Sequence, residues 1–318
     1  MYKILVTGAC GQLGSVLVKR LRSKHGEHNV IASDIRSKPD IEELFIKLDV
    51  TDSNALEKVI TKYQIKEIYH LAAILSAKGE ESPLKTWDIN IKSLLNVLEV
   101  SRLKNVKKVF YPSSIAVFGD HIDRNYTSQI SCLSPKTVYG ISKVAGENWC
   151  QYYFDNYGLD VRSIRYPGII GYQSLPGGGT TDYAIDIFYK AIEGVEFKCF
   201  LSENTSLPMM FIDDAIRATI ELMRAPKELI KTRSSYNISG ISFSPAQIVE
   251  SIKKLLPDFK ITYKPDFRQG IAENWPSSIN DSEARGDWGW NSKFNLDDIT
   301  EIMIAELTKK NKIKTHNV

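Results

Sequence analysis

An α/β fold, a doubly wound parallel sheet with a smaller C-terminal region, follows from three observations on the 318-residue chain. A short apolar run, Ile4, Leu5 and Val6, stops at Gly8; glycines recur at Gly11 and Gly14 before an apolar set at helical spacing, Leu13, Val16, Leu17, Val18 and Leu21. Apolar runs return at residues 30–34, 67–73, 109–111 and 160–165, with helical periodicity between them, which is the alternation of a parallel sheet. Beyond about residue 170 that rhythm weakens, and helix signals alternate with only short apolar strands.

Composition bounds the function. With 43% hydrophobic and 25% charged residues the chain suits one large globular core. A net charge of +3 argues for neither nucleic acid nor a membrane surface. No stretch is long and apolar enough to span a bilayer. Cys10, Cys132, Cys150 and Cys199 are scattered without a Cys-x-x-Cys pair, so free thiols in a reducing, cytoplasmic compartment are expected, with no metal site. The start at Met1, directly before the first strand, predicts no signal or transit peptide.

The first strand, its turn and the helix beginning near Gln12 form the geometry that cradles a pyrophosphate. The turn lets backbone approach a ligand, and the free N–H groups of the first helical turn point at its negative charge. Gly8, Gly11, Gln12, Leu13 and Gly14 are the candidate cradle, spaced Gly-x-x-Gly-x-x-Gly; a tight strand–helix turn with no ligand is the plainer alternative. The second strand, residues 30–34, ends in Asp34, 20 residues after Gly14, near the spacing expected of a carboxylate on an adenosine ribose. Such a carboxylate accepts hydrogen bonds from ribose hydroxyls and repels a 2′-phosphate, which favours NAD over NADP. Ile35 and Arg36 follow, and Arg36 complicates the choice because arginine pairs with that phosphate.

Asp49 and Val50 come after a third strand; Asp49 is placed to reach an adenine amino group, or is a plain loop acid. Asp52 or Ser53 caps the next helix, whose apolar face is Leu56, Val59 and Ile60. The fourth strand, residues 67–73, runs into Leu71, Ala72 and Ala73, where small side chains let a ligand lie close. His70 sits in an apolar run and reads as a core histidine. A polar loop at residues 76–81 leads to a helix over 84–103 that carries Asn90. Val109, Phe110 and Tyr111 form a fifth strand stopped by Pro112, with Ser113 and Ser114 just beyond; a Ser-Ser pair there is also able simply to satisfy local backbone groups.

Thr137 opens a helix that runs past Trp149 to Tyr153, and Tyr139 and Lys143, four apart, project from one face of it. A free tyrosine has a pKa near ~10; a cation beside it favours the phenolate. Bringing it to ~7 takes about 4 kcal/mol, since one unit is roughly 1.4 kcal/mol. A lysine in a dry site and a cationic nicotinamide ring are able to supply that. Taken alone, Tyr-x-x-x-Lys is usually a surface helical pair. After a sixth strand at 160–165 come Tyr166, Pro167, Gly168 and Ile169, then a pliable glycine run at 177–179, with Thr180 or Thr181 capping a helix or offering hydroxyls to a ligand. Helix signals follow at 182–192, 213–224, 245–256 and 297–309, and short strands near Phe197, Tyr236 and Ile261. Trp288 and Trp290 read as packing, whereas Trp275, in a Pro-containing loop, is the candidate for closing over a substrate. The basic tail, 309–318, is expected to fray.

The glycine turn, Asp34, Leu71-Ala72-Ala73, Ser114 and the Tyr139–Lys143 pair together resemble the extended short-chain dehydrogenase/reductase superfamily, the NAD-dependent epimerase/dehydratase group, over essentially the whole chain. The resemblance implies a Rossmann fold with NAD held in residues 1–170, at Ser113, Tyr166 and Ile169 besides the positions above. Residues 171–318 would be mostly substrate-binding and interleaved with the main sheet. It implies that Tyr139 is the acid/base, that Lys143 holds the nicotinamide ribose and lowers the tyrosine pKa, and that Ser114, 25 residues before Tyr139, binds the reacting oxygen. Related enzymes acting on sugar nucleotides carry an Asn that holds substrate where this chain has Gly168.

Segments 113–119, 166–168, 177–184 and 208–215, with the 76–80 loop and Trp275, resemble the short-chain L-threonine 3-dehydrogenase branch. That resemblance implies NAD-dependent oxidation of L-threonine to L-2-amino-3-oxobutanoate. Ser76, Gly79, Thr180, Thr181 and Trp275 would join Ser114 and Tyr139 around the substrate, in a homodimer formed through the helices over 84–103 and 137–157. Two alternatives stay open. One is a sugar-nucleotide epimerase or dehydratase using the same cofactor and catalytic residues. The other is a non-catalytic NAD-binding protein, against which the joint presence of Ser114, Tyr139 and Lys143 counts.

Overall fold

The computed structural model describes residues 2–37, 44–175, 177 and 179–316, with side chains to residue 311. Pro176, Gly178 of the glycine run and the last two residues of the tail therefore lie outside it. The first half is β1 (Lys3–Thr7), α1 (Gln12–His25), β2 (Val30–Asp34), β3 (Phe45–Lys47), α2 (Ser53–Tyr63), β4 (Ile65–His70), α3 (Ser76–Glu80), α4 (Pro83–Leu103), β5 (Lys108–Ser114), α5 (Val138–Tyr157) and β6 (Asp160–Tyr166). The second half runs β7 (Gly168–Ile170), α6 (Tyr183–Glu193), β8 (Phe197–Cys199), β9 (Leu207–Phe211), α7 (Ile212–Arg224), β10 (Tyr236–Asn237), β11 (Ile241–Phe243), α8 (Pro245–Leu255), β12 (Ile261–Tyr263), α9 (Phe267–Glu273), α10 (Ser282–Trp288) and α11 (Leu296–His316).

Among the described residues seven strands form one sheet in the order β10-β6-β5-β4-β1-β2-β3, with every pairing parallel. Successive residues of a strand face opposite sides of a sheet. Accordingly, Ile4 and Val6 of β1 pack with Leu17, Val18 and Leu21 of α1 in one core, while Leu5 packs with Leu56, Ile60, Leu94 and Val97 of α2 and α4 in the other. Helices thus cover both faces, and each buried leucine or valine contributes about 1.5–3 kcal/mol. Strand order reverses between β1 and β4, and a crevice opens at such a point beyond the strands' carboxyl ends. The second half adds β10 to the main sheet beside β6 and builds two small sheets, β11-β9-β7 and β12-β8.

Several elements differ from the sequence expectation. The fifth strand does not stop at Pro112 but continues to Ser114. Pairing with β4 ends at Phe110, and only β6 accompanies the strand further, so the missing proline N–H removes no bond on the freed side. Residues 76–80 form a short helix rather than a loop. Neither Thr180 nor Thr181 caps α6: Asp182 is the N-cap residue, and its carboxylate accepts from the Gly179 amide at 2.8 Å. The last helix does not end at Lys309 but continues to His316. Asp52 does cap α2, accepting from the Ala55 amide at 3.0 Å.

His70 is a core residue, as expected. Its Nδ1 meets Thr7 Oγ1 at 2.9 Å and its Nε2 meets Ser93 Oγ at 3.4 Å. Burial, helped by the charge of Lys143, pushes its pKa down to about 3. The neutral ring therefore contributes stability that is complete above the ordinary value of 6.5 and is lost as pH falls toward 3. At ~1.4 kcal/mol per pH unit the loss is bounded at about 5 kcal/mol. His70→Gln, which cannot titrate, is expected to flatten the fall in Tm between about pH 6 and 4; a Tm series against pH for both proteins checks this.

Candidate active site

The glycine turn is shaped by close approach. Gly8 has φ +70°, and a Cβ on it would stand 2.7 Å from the Ala72 amide nitrogen; one on Gly14 would stand 2.2 Å from the Gly8 carbonyl oxygen. Gly11 is the N-cap of α1 and has no side chain to satisfy the first turn, so those N–H groups are left for a ligand. Gln12 Nε2 donates to the Ile169 carbonyl at 3.3 Å and ties the turn to β7. Gly8, Gly11, Gln12, Leu13, Gly14, Leu71, Ala73, Ser113, Tyr166 and Ile169 line one crevice with Ser114, Tyr139 and Lys143.

Asp34 ends β2 next to this turn and is buried. Its carboxylate accepts from the Cys10 amide and the Arg36 amide, both at 3.0 Å, and from Arg36 Nε at 3.1 Å. Burial alone would raise its pKa, but the hydrogen bonds from Arg36 and the two amides outweigh that and hold it below the ordinary value. A fixed charge at that strand end fits a ribose. Arg36, two positions on, is engaged by Asp34, and Ile35 beside it is exposed and apolar. Asp34→Ala is expected to weaken NAD binding about tenfold or more, a charged hydrogen bond being worth ~1.5–3 kcal/mol, and to release Arg36 toward NADP. Parallel fluorescence titrations with the two dinucleotides check the exchange of preference.

Several expected contacts lie outside the crevice lining: besides Asp34, Ile35 and Arg36 these are Asp49, Val50, Ala72 and Asn90. Asp49 Oδ1 accepts from the Thr51 amide at 2.9 Å and from Thr51 Oγ1 at 2.7 Å, the arrangement of a turn-holding loop acid. The neighbouring Val50 carbonyl accepts from Asn96 Nδ2 at 3.0 Å. Asn90 accepts from the Ile74 amide at 2.8 Å and donates to the Ile74 carbonyl at 3.1 Å and to Ser142 Oγ at 3.2 Å. It therefore holds the chain after β4 against α5. Ala72 lies under Gly8 through its backbone.

The catalytic candidates converge from two elements. Thr137 caps α5, its hydroxyl accepting from the Gly140 amide at 3.1 Å, and this sets Tyr139 in the first turn. Ser114 ends β5; its hydroxyl accepts from the Ala116 amide at 3.2 Å and shares a hydrogen bond with Tyr139. Ser113 takes a different partner, donating to Glu147 Oε1 at 2.5 Å. Lys143 Nζ donates to the Pro112 carbonyl at 2.6 Å, 4.6 Å from the centre of the Tyr111 ring and 5.4 Å from that of Tyr139. Burial pushes the Tyr139 phenol up to about 12, with the Ser114 hydrogen bond pulling the other way. Burial also pushes Lys143 down to about 7, against the pull of Cys150 and Glu147. The Lys143 ammonium is thus directed at the Pro112 carbonyl and stands beside the Tyr111 and Tyr139 rings, while burial sets the direction of the Tyr139 shift.

The far wall of the crevice carries Ser76, Thr180, Thr181 and Trp275. Thr180 is 1% exposed, and its hydroxyl has no partner in the protein, which fits a group awaiting a polar ligand. Trp275 is 5% exposed, and its carbonyl accepts from Arg124 Nε at 2.8 Å. Gly79 does not line the crevice; a Cβ there would meet Thr86 and Val138, so it packs α3 on α4 and α5. At Gly168 a Cβ would stand 2.4 Å from Met209 Sδ and 2.7 Å from Thr181 Cβ. Leu75, Ile115, Pro167, Gly179 and Asp182 also line the crevice and were not anticipated. Glu147 was missed too, although its position four residues past Lys143 on α5 is legible.

Among the described residues no helix is long and apolar enough to cross a membrane, and no group of histidine, cysteine or acidic side chains is placed to hold a metal. None of the four cysteines is joined in a disulfide. The description of the NAD dependent epimerase/dehydratase family matches residues 4–239. A GalE-like L-threonine dehydrogenase from Cupriavidus necator, in its holo form, is 50% identical, with 96% of this chain and 99% of that chain covered at a TM-score of 0.94. A monomeric L-threonine 3-dehydrogenase from a metagenome, in its apo form, is 48% identical, with 97% and 99% covered at a TM-score of 0.94. An uncharacterized epimerase/dehydratase of Staphylococcus aureus strain MRSA252 is 42% identical over the whole of both chains.

Proposed function

The chain belongs to the NAD dependent epimerase/dehydratase family, and we propose that within it this enzyme oxidises L-threonine to L-2-amino-3-oxobutanoate with NAD. The observation that carries the reading is the wall at Gly168. Thr181 and Met209 fill the space a longer side chain would need, so the pocket suits a small polar substrate rather than a sugar nucleotide. We assign the cofactor to residues 1–170 and a mostly substrate-binding role to residues 171–318, which are interleaved with the main sheet.

Bound NAD supplies the hydride acceptor and a positive ring. The rest falls to the chain. Tyr139, as phenolate, takes the proton of the threonine hydroxyl. Ser114 orients that oxygen as the carbon bearing it loses its hydride to the nicotinamide, leaving a ketone. Lys143 holds the ribose and, once turned from Pro112, steadies the phenolate. The Thr180 hydroxyl, with Thr181 and Ser76, meets the carboxylate and ammonium of the zwitterion, and Trp275 excludes water.

We propose a homodimer through α4 and α5, supported by the exposed Leu84, Trp87, Trp149, Tyr152 and Tyr157 on those helices. A monomeric relative implies that such a dimer is not required for the chemistry. A reducing, cytoplasmic setting suits cysteines without disulfides. The test is NADH absorbance on mixing the protein with NAD and L-threonine, L-allo-threonine, L-serine, D-threonine or UDP-glucose. NADH formation with L-threonine above the others is the expected result. Conversion of UDP-glucose alone moves the function to a sugar-nucleotide reaction.

A further inference from the structure

Glu147 is a buried carboxylate that the chemistry above leaves unused. It is 1% exposed and follows Tyr139 and Lys143 at four-residue steps along α5. Its oxygens accept from Arg165 Nε at 2.9 Å and Nη2 at 2.7 Å, and from Ser113 Oγ at 2.5 Å. Arg165, on β6, is further engaged by the Gln129 carbonyl at 3.1 Å and by Asn237 Oδ1 of β10 at 3.2 Å, and stands over the Phe118 ring. A buried charge persists only where it is matched. The carboxylate bridges three elements and is paired with Arg165, and Lys143 stands one turn before it on the same helix.

The surroundings of Lys143 sharpen the point. It is faced by His70 from β4, Tyr111 from β5, and Tyr139, Glu147 and Cys150 from its own helix. His70 is neutral, and burial keeps the Tyr111 phenol and the Cys150 thiol protonated. Glu147, ion-paired to Arg165 at 2.7 Å and one helical turn past Lys143, is thus the carboxylate in this set. Its partner Arg165 neutralises it from the β6 side, but the carboxylate is the member of the pair that acts on Lys143.

We propose that Glu147 is a positioning residue of this active site: tied to Ser113 and Arg165, it anchors the strand end that carries Ser114 and is the counter-charge of Lys143. Burial strips water from the ammonium and brings its pKa to about 7, and Glu147 opposes that fall. Removing the carboxylate is expected to lower Lys143 further, so that less of it carries charge at neutral pH. The inference rests on Lys143 being the partner of Tyr139, and its first test needs no turnover.

The experiment is a pH titration of the Lys143 ε-carbon by NMR in protein carrying ¹³C-labelled lysine, the signal assigned by its absence from Lys143→Met. Two variants remove the charge. Glu147→Gln leaves Arg165 unmatched, and Glu147→Gln with Arg165→Met leaves no unmatched charge and keeps a folded control available. In whichever folds, the midpoint is expected to fall by about one pH unit or more, and Glu147→Asp is expected to restore most of it. The alkaline limb of kcat/KM should move down by the same amount, with the acid limb in place. A lowered Tm with an unmoved midpoint is the signature of a merely structural residue and overturns the proposal. A shifted midpoint in a protein that does not oxidise threonine upholds it while refuting the substrate.

Discussion

Tyr139→Phe is expected to lower kcat by about 10³-fold or more while leaving NAD affinity within about threefold, since general acid–base catalysis accounts for roughly 10²–10⁴ and the ring itself is retained. The site's electrostatics make the effect large. With burial holding the phenol at about 12, the phenolate is a minor form at neutral pH from the protein's own groups alone. Lowering it to ~8 takes about 5–6 kcal/mol at ~1.4 kcal/mol per unit. That stabilisation has to come from Lys143 swinging off the Pro112 carbonyl and from positive charge brought by the dinucleotide. Because the base form grows as pH rises, kcat/KM should climb with pH up to the point where Lys143 loses its proton. The Tyr139→Phe variant has no such titrating group, so its residual rate should lose the acid limb altogether. Steady-state rates against pH, with a separate NAD titration, read both parts. Turnover within tenfold of the native enzyme would remove Tyr139 from the mechanism.

Why the sequence displayed Tyr139 and Lys143 and concealed Glu147's role is a matter of range. A strand ending in glycine, a helix after it and a Tyr–Lys pair at one turn are local patterns, written in consecutive residues. β1, β2 and α1 accordingly came out where periodicity placed them. The Arg165–Glu147 pair joins α5 to β6, and Asn237 reaches it from β10, a strand of two residues that exists only because β6 offers a free edge. The sequence places a short strand near Tyr236, but that it pairs with β6 and brings Asn237 to Arg165 is a tertiary fact. Pro112 misled for a related reason. A proline breaks a strand that is paired on both sides, and whether the partner on one side has already ended is a tertiary fact. The polar run at 76–80 carried no cap signal, yet Asn90 and Thr86 of α4 pin it and the segment before it, so it winds into α3.

The substrate wall provides the other large effect. Gly168→Asn is expected to lower kcat/KM for threonine by about 10²-fold or more, chiefly through KM, with NAD binding preserved. A Cβ at that position would meet Met209 Sδ at 2.4 Å and Thr181 Cβ and Cγ2 at 2.7 Å. Met209 is buried on β9, directly paired with Gly168, so its backbone cannot retreat, and only the thioether end is free to give. Thr181, at the entrance to α6, is the group that yields, and it carries the neighbouring Thr180 hydroxyl away from the substrate. Overpacking of this kind costs about 1–3 kcal/mol of stability, small enough for the variant to fold. Gly168→Ala separates the two contributions. It brings the same Cβ without the amide, so if displacement of Thr181 is the cause, alanine should recover little of the lost KM. If the amide itself obstructs the ligand, alanine should recover most of it. A threonine KM unchanged in both variants would place the substrate elsewhere than against Thr180 and Thr181, and would reopen the pocket to a larger ligand.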